Sequence, residues 1–429
     1  MTAGRQGEDQ GATAAHRGQG ALAALANRNY RLFMAGQVIS QSGSWMQRIA
    51  QSWIVLQLTD SAAALGTVVT IQFLPILALS LFAGALADRV PKRRALVGIQ
   101  VVNIAQAATL ATLVATNQIA LWQIYALAAV QGTANALEQP LRQAFPSELV
   151  GRELIPNAIA LNSTVQNTAR VLGPALGGFV VTWISLAGAF ALNAASYVAV
   201  LVALALIRHE LPHPQPAAGL RSPIREIGEA LAFAGRRPPI VFTLCALSCL
   251  GIFGFNYSTF MPLLARYRLG LGAGGYGTLS VALGAGAIVG AVAIARVGYT
   301  SPLRQAWGGI GFAVFLAGVG WSSWAGLSLG LIAALGLAGT VFTTTANTTL
   351  QLSVPDGMRG RIMGLYTLLL AGMTPPGALV TGLLADRWDV GTALQIEAAV
   401  CLVGVVVGLG YFLRARRAGA VPSAAAGVA

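Results

Sequence analysis

The residues able to do chemistry in this chain lie inside apolar runs, at helical spacing. Gln37, Gln41, Ser44, Arg48 and Gln51 are separated by 4, 3, 4 and 3 positions, and Gln131, Asn135, Glu138 and Arg142 by 4, 3 and 4. Asn162, Gln166 and Arg170 follow at intervals of 4. Each set forms one stripe on a helix. Polar side chains in an apolar run are costly unless they face water, a ligand or a hydrogen-bonding neighbour. The stripes therefore mark either a wet substrate cavity or bonds between helices, and both readings stay open. Arg48 and Arg170 lie roughly 20 Å from the cytoplasmic ends of their helices at 1.5 Å per residue. A guanidinium at that depth keeps its charge and favours an anionic or hydrogen-bonding substrate. Glu138 and Glu397 are the acids placed to carry a proton, and Glu138 is also near enough to the cytoplasmic end to meet Arg89 or Arg93.

Enzymatic chemistry finds no support in these residues. Cys245, Cys249 and Cys401 have no histidine partner and no C-x-x-C spacing, so they read as small packing residues and no metal site is expected. Neither a nucleophile–base constellation nor a phosphate-binding loop is present.

The elements that hold these residues follow from composition. Hydrophobic residues make up 55% of the 429 positions and charged residues 10%, where a soluble domain carries about 25%. Mean hydropathy is +0.68. Apolar runs of about 20 residues, enough to cross a bilayer core of about 30 Å, recur along the chain. They fall near 31–57, 65–86, 95–115, 120–140, 157–182 and 187–207, then near 240–264, 276–295, 306–323, 327–350, 361–384 and 392–413. The expectation is an all-α membrane protein of twelve transmembrane helices in two pseudo-symmetric six-helix bundles, 30–207 and 240–413. Residues 1–29 and 414–429 read as cytoplasmic tails, the first disordered. The polar stretch 208–239 reads as a linker. Its Ile224, Ile227 and Leu231 lie at i, i+3 and i+7, the pattern of a short amphipathic helix at the membrane surface.

Charge fixes the expected orientation. Of the 27 Lys and Arg residues, Arg48 and Arg170 are deep. With the N-terminus cytoplasmic, 22 others fall on the cytoplasmic side and only Arg266, Arg268 and Arg387 on the far side. Trp183, Trp321, Trp324 and Trp388 mark the outer ends of helices as an aromatic belt. The net charge of +13 serves topology and not nucleic acid, since the basic residues sit in short clusters between apolar runs.

Two motifs carry a resemblance. Gly84-Ala85-Leu86-Ala87-Asp88-Arg89-Val90-Pro91-Lys92-Arg93-Arg94 resembles the G-x-L-A-D-R-x-G-R-K signature of the major facilitator superfamily, with Pro91 where glycine is usual. The resemblance implies a gate in which Gly84 permits close helix approach and Asp88 caps the N-terminus of the eleventh helix, near Arg359. Arg89 and Arg93 would belong to the same gate. Gly173-Pro174-Ala175-Leu176-Gly177-Gly178 resembles the G-P-x-x-G-G core of proton-coupled exporters, which implies a kink at Pro174 and a small-residue groove. Ala128 stands where that group usually has an arginine.

Further blocks, among them Asn29-Tyr30-Arg31-Leu32-Phe33, Glu138-Gln139-Pro140-Leu141-Arg142 and Arg359-Gly360-Arg361-Ile362-Met363, are similar to the enterobactin-exporter and macrolide-efflux branch, the transmembrane secretion effectors. That branch implies export of an amphiphilic siderophore, antibiotic or drug across the bacterial inner membrane by proton antiport and alternating access. Helices 1 and 4 would line the cavity. The implied partners are a small-molecule substrate, protons and the lipid bilayer, with no cofactor and a functional monomer. An importer of a small nutrient, or a membrane sensor that transports nothing, is the alternative.

Overall fold

The computed structural model describes residues 22–87, 89–207, 223–297 and 301–418. Six long helices come first: α1 (Arg28–Thr59), α2 (Ala62–Ala87), α3 (Lys92–Ala115), α4 (Leu121–Leu149), α5 (Ile155–Trp183) and α6 (Leu186–Leu206). After the short α7 (Pro223–Gly235) come α8 (Pro238–Phe253), α9 (Tyr257–Leu263), α10 (Ala273–Val297), α11 (Pro302–Trp321) and α12 (Ala325–Ser353). The chain ends in α13 (Asp356–Thr367), α14 (Thr374–Arg387) and α15 (Val390–Arg417).

Among the described residues, seven helices are long and apolar enough to cross a membrane, or eight with the bent pair Pro238–Phe253 and Tyr257–Arg268 taken as one. Helices α1, α4 and α5 are as long, at 32, 29 and 29 residues, but their polar stripes dilute the apolar character.

One expected continuous helix is broken, and a second carries a π turn. The run 240–264 bends by 40° between α8 and α9. The run 361–384 stays within one apolar span, Gly357–Arg387, that passes through a π turn at Leu368–Gly372 and has Pro375 and Pro376 at the start of α14. Proline removes a backbone donor and a π turn misaligns the ladder, so both are recognised causes of a kink. Order also extends beyond the borders expected for the tails. Ala23–Ala26 form a 3₁₀ turn, and Asn27 caps α1 by accepting from the amides of Asn29 (2.9 Å) and Tyr30 (3.1 Å). At the other border α15 continues to Arg417. Residues 1–21, 208–222 and 419–429 lie outside the described residues.

Helix α1 packs on α5 and α6, α3 on α6 and α2 on α4, while α12 packs on α10 and α11, and α15 on α8 and α11. Two seams join the first six helices to the later ones, α2 with α14 and α5 with α10. In membranes small residues let backbones approach. A Cβ on Gly178 of α5 would lie 2.9 Å from the Gly277 Cα of α10. One on Gly66 of α2 would lie 2.4 Å from the Ala378 carbonyl oxygen of α14.

Helix α7 forms where the linker helix is expected. It rests on α13, with Arg361 donating to Glu229 at 2.5 Å, and buries Ala230 and Ala234 while Ile227 and Leu231 stay exposed. The Ile224 side chain lies outside the described residues.

Candidate functional site

The α1 stripe divides into two environments. Gln37 and Gln51 are 2% and 3% exposed, and each keeps a buried polar atom without a partner, Nε2 and Oε1 respectively. Ser44 shares a hydrogen with Tyr197 of α6 at 3.1 Å. Gln41 and Arg48 are half-buried. The Arg48 guanidinium stacks 4.3 Å from the centroid of Trp45, one turn earlier, with Phe73 of α2 at 6.0 Å. An aromatic face thus stabilises the cation at a depth where substrate or solvent is the expected partner.

Gln47, beside the stripe, is a polar residue that sequence spacing alone does not single out. It is fully buried, donates to Gln106 Oε1 of α3 at 3.1 Å and accepts from Asn193 Nδ2 of α6 at 2.6 Å. This amide chain ties three helices together.

On α4, Gln131 is buried and accepts from Gln72 Nε2 of α2 at 2.5 Å, a bond between helices. Asn135 is half-buried. Glu138 does not meet Arg89 or Arg93. Its two oxygens accept from Gln100 Nε2 (3.2 Å) and Asn103 Nδ2 (3.1 Å), which α3 presents at i, i+3 spacing directly opposite. Arg93 instead donates to the Leu204 and Ala205 carbonyls at 2.8 and 3.2 Å, and Arg89 is exposed. The packing of α3 on α4 satisfies the acid before the loop arginines can reach it.

On α5, Gln166 is half-buried, and the Arg170 side chain lies outside the described residues. Gly173 and Pro174 are buried. A Cβ on Gly173 would lie 2.3 Å from Trp45 Cβ, so this glycine seats the ring that carries Arg48. The Pro174 carbonyl oxygen lies 3.0 Å from where a Gly277 Cβ would stand. One segment of α5 therefore touches both α1 and α10.

The two ends of the molecule differ. At one, Asp60 accepts from Arg266 Nη2 (2.8 Å) and the Tyr267 hydroxyl (3.0 Å), joining the α1–α2 corner to the π turn after α9. Asp386 on α14 accepts from the Ser61 hydroxyl (2.7 Å) and the Ala62 amide (2.5 Å), capping the N-terminus of α2. Thr70 of α2 donates to the Pro375 carbonyl at 2.8 Å on the same seam.

At the opposite end the bonds stay local, as in Lys92 to Glu148 at 2.5 Å and Arg237 to the Ser353 carbonyl at 2.8 Å. There the expected close approach at Gly84 is not made, since nothing lies within 4 Å of its Cβ position. The Cβ positions of Gly357, Gly360 and Gly364 on α13 are open in the same way. Asp88 lies outside the described residues. Helix α13, the end it was expected to cap, has Pro355 at its N-cap position.

The Asp386 contact is one that sequence reasoning misses, although its signal is legible. Gly382-Leu383-Leu384-Ala385-Asp386-Arg387 repeats the G-x-L-A-D-R of Gly84–Arg89. Glu397 of α15 is fully buried among α8, α11 and α14, away from the stripes of α1 and α4. Among the described residues no group of three His, Cys, Asp or Glu could hold a metal ion.

Comparison with known proteins agrees with this geometry. The family model for transmembrane secretion effectors matches residues 19–426. The staphyloferrin A transporter of Staphylococcus aureus is 26% identical over 87% of this chain and 94% of its own length. The multidrug efflux pump Tap of Mycolicibacterium fortuitum is 24% identical over 87% and 94%. In fold, the chain is similar to a bacterial homologue of the human lysosomal transporter Spinster, solved inward-facing and unoccupied. Its TM-score is 0.71 at 12% identity, covering 91% of this chain and 97% of that one. The chain belongs to the transmembrane secretion effector family, whose members are membrane transporters of the major facilitator type and not enzymes.

Proposed function

We propose that this protein exports an amphiphilic small molecule across the bacterial inner membrane in exchange for protons, by alternating access, as a functional monomer without a bound cofactor. The observation that carries the reading is the asymmetry of the two ends, bonded across at Asp60 and Asp386 and open around Gly84. In this reading twelve spans form two six-helix halves, α1–α6 and α8–α15, with α8/α9 a broken span and α13/α14 one span through a π turn. The halves correspond to 30–207 and 240–413, joined by the linker 208–239. Both termini are cytoplasmic, so the Asp60 end is external and the conformer faces inward. The three external arginines support this orientation because each is locally compensated. Arg266 pairs with Asp60 at 2.8 Å, Arg268 with Asp389 at 3.5 Å, and Arg387 lies over Trp388 at 5.8 Å. Exposed Trp183, Trp321 and Trp324 stand at the same end.

A siderophore or drug as cargo is supported by the relatives' activities, and the Arg48 guanidinium favours an anionic group on it. Gln41, Asn135 and Gln166 are half-buried polar groups available to such a cargo, and Arg170 joins them by its position on α5. Comparing culture medium with and without the protein tests this directly. An amphiphilic metabolite should be depleted outside and enriched inside cells that lack the protein. The opposite partition would make the protein an importer.

The external contacts form a latch with a defined pH response. Hydrogen bonds from Arg266 and Tyr267 hold the Asp60 carboxyl below its usual value. When the external end opens those bonds break and the ordinary value returns. The closed-outside form is therefore favoured above the ordinary value and loses that advantage as pH falls through the depressed one. Spin labels at Gln118 and Ser323 should move apart on acidification, and Asp60→Asn should remove much of that response.

Asp386→Ala should open the same end more strongly at neutral pH, because a lost helix cap costs about 0.5–2 kcal/mol. The same label pair reads it. An unchanged distance would reduce Asp386 to a surface residue.

A further inference from the structure

The second set of helices seals one acid from solvent entirely. Glu397 is 0% exposed, where α15 packs on α8, α11 and α14. Its Oε1 lies 2.5 Å from Thr381 Oγ1 of α14, and its Oε2 is buried with no hydrogen-bond partner. Thr381 Oγ1 is also 2.9 Å from the Gly377 carbonyl and 3.4 Å from Asn256 Nδ2. A hydroxyl owns a single proton. If Thr381 gives it to Gly377, one turn back on its helix, the short contact with Glu397 needs a proton from the glutamic acid. If Thr381 gives it to Glu397 instead, an ionised carboxylate holds one neutral hydrogen bond and one bare oxygen in a dry interior. That arrangement costs several kcal/mol. The neutral acid fits the site, and the charged one does not.

The titratable groups on the surrounding elements are engaged elsewhere. Cys401 on α15 lies 3.7 Å from the Cys249 carbonyl of α8, and Cys245 lies one turn earlier. Asp386 and Arg387 of α14 sit at its external end, where Asp386 caps α2. Arg268 of the π turn bonds Asp389 and the Ser322 carbonyl. Tyr257 lies on α9, and Arg304 lies at the cytoplasmic start of α11.

The position joins two moving parts. Asn256 stands at the 40° break between α8 and α9, where its amide donates to Ile252 O at 2.6 Å and its own Oδ1 is buried without a partner. Thr381 lies on α14, the helix that forms the α2 seam and carries the Asp386 latch five residues further on.

We propose that Glu397 is a proton-binding site whose occupancy sets the α8–α9 break and, through α14, the external closure. With the proton present, the acid brings no charge into the dry interior and keeps its one contact, with Thr381. Loss of the proton creates a carboxylate that needs another donor besides Thr381, and the Asn256 amide, 3.4 Å from the Thr381 hydroxyl, lies within the same cluster. Turning that amide to Glu397 releases Ile252 O and changes the break. This deepens the reading of the protein as proton-driven and rests on it for its role in transport, but the site itself can be tested without a substrate.

Infrared spectroscopy of the full chain in liposomes at neutral pH should show a protonated carboxyl band that Glu397→Gln removes. Thr381→Val should keep the band and raise its frequency, because the acid loses its hydroxyl partner. Raising the pH should remove the band and change the Gln118–Ser323 spin-label distance in the wild type but not in Glu397→Gln, which mimics the neutral acid. The proposal is overturned if the band is unaffected by Glu397→Gln, or if both proteins show the same alkaline distance change. None of these readouts depends on transport, so they are separable from a finding that vesicle transport ignores protons.

Discussion

Gly178→Leu should yield a protein that inserts normally, stands open at its external end and transports about a hundredfold more slowly. The Cβ alone would lie 2.9 Å from the Gly277 Cα and 3.1 Å from the Ala273 carbonyl oxygen, and backbone atoms of a neighbouring helix do not swing aside. Overpacking of this kind costs about 1–3 kcal/mol. Because α5 and α10 belong to the two halves, separating them relieves the strain without unfolding either. At about 1.4 kcal/mol per tenfold, the upper end of that range shifts the balance roughly a hundredfold toward the open-outside form. The Gln118–Ser323 distance should lengthen, while labels at Ser147 and Leu352 on the cytoplasmic end draw together. If the variant aggregates, or if both distances stay unchanged, the seam is ordinary packing and not a moving contact.

Arg48→Gln should weaken binding of anionic amphiphiles by about ten- to a hundredfold and leave neutral ones nearly unaffected. The guanidinium is held over Trp45, and Gly173 seats that ring, so the cation is positioned by packing and keeps its charge at every physiological pH. Hydrogen bonds to a charged group contribute about 1.5–3 kcal/mol. Arg48→Lys should recover part of the loss, since an ammonium also sits over an aromatic face but gives up the planar fork. Ligand-induced thermal stabilisation of the purified proteins, with matched anionic and neutral amphiphiles, separates the possibilities. An equal loss for both classes would make Arg48 a structural residue.

How far the sequence reveals this molecule depends on which physical signal each feature leaves. Helices over 95–115 and 327–350 are plain because every residue contributes to one apolar average. The break at residues 254–256 is not, because Gly254, Phe255 and Asn256 barely lower the hydropathy of the run around them.

Periodicity reveals the face of a helix but not the neighbour that meets it. The stripe Gln131–Glu138 was correctly polar, yet Gln131 is used by Gln72 and Glu138 by Gln100 and Asn103. Charge complementarity pointed Glu138 toward the loop arginines. Amides on α3, legible in the spacing of Gln100, Asn103 and Gln106, satisfy it first. Gly84 shows a different limit. A motif can encode a contact that belongs to one conformation, and in this one nothing lies within 4 Å of the Gly84 Cβ position. The repeat of its hexapeptide at Gly382–Arg387 was readable throughout and locates the contact made at the other end.

The central claim, proton-driven export, is tested most directly in inside-out membrane vesicles whose interior is acid. These vesicles expose the cytoplasmic face to the medium. They should accumulate an anionic amphiphilic substrate from it, lose that accumulation on adding a protonophore, and show none with empty membranes. Accumulation that persists after the proton gradient is collapsed would contradict proton coupling. Accumulation only in right-side-out vesicles would contradict export itself.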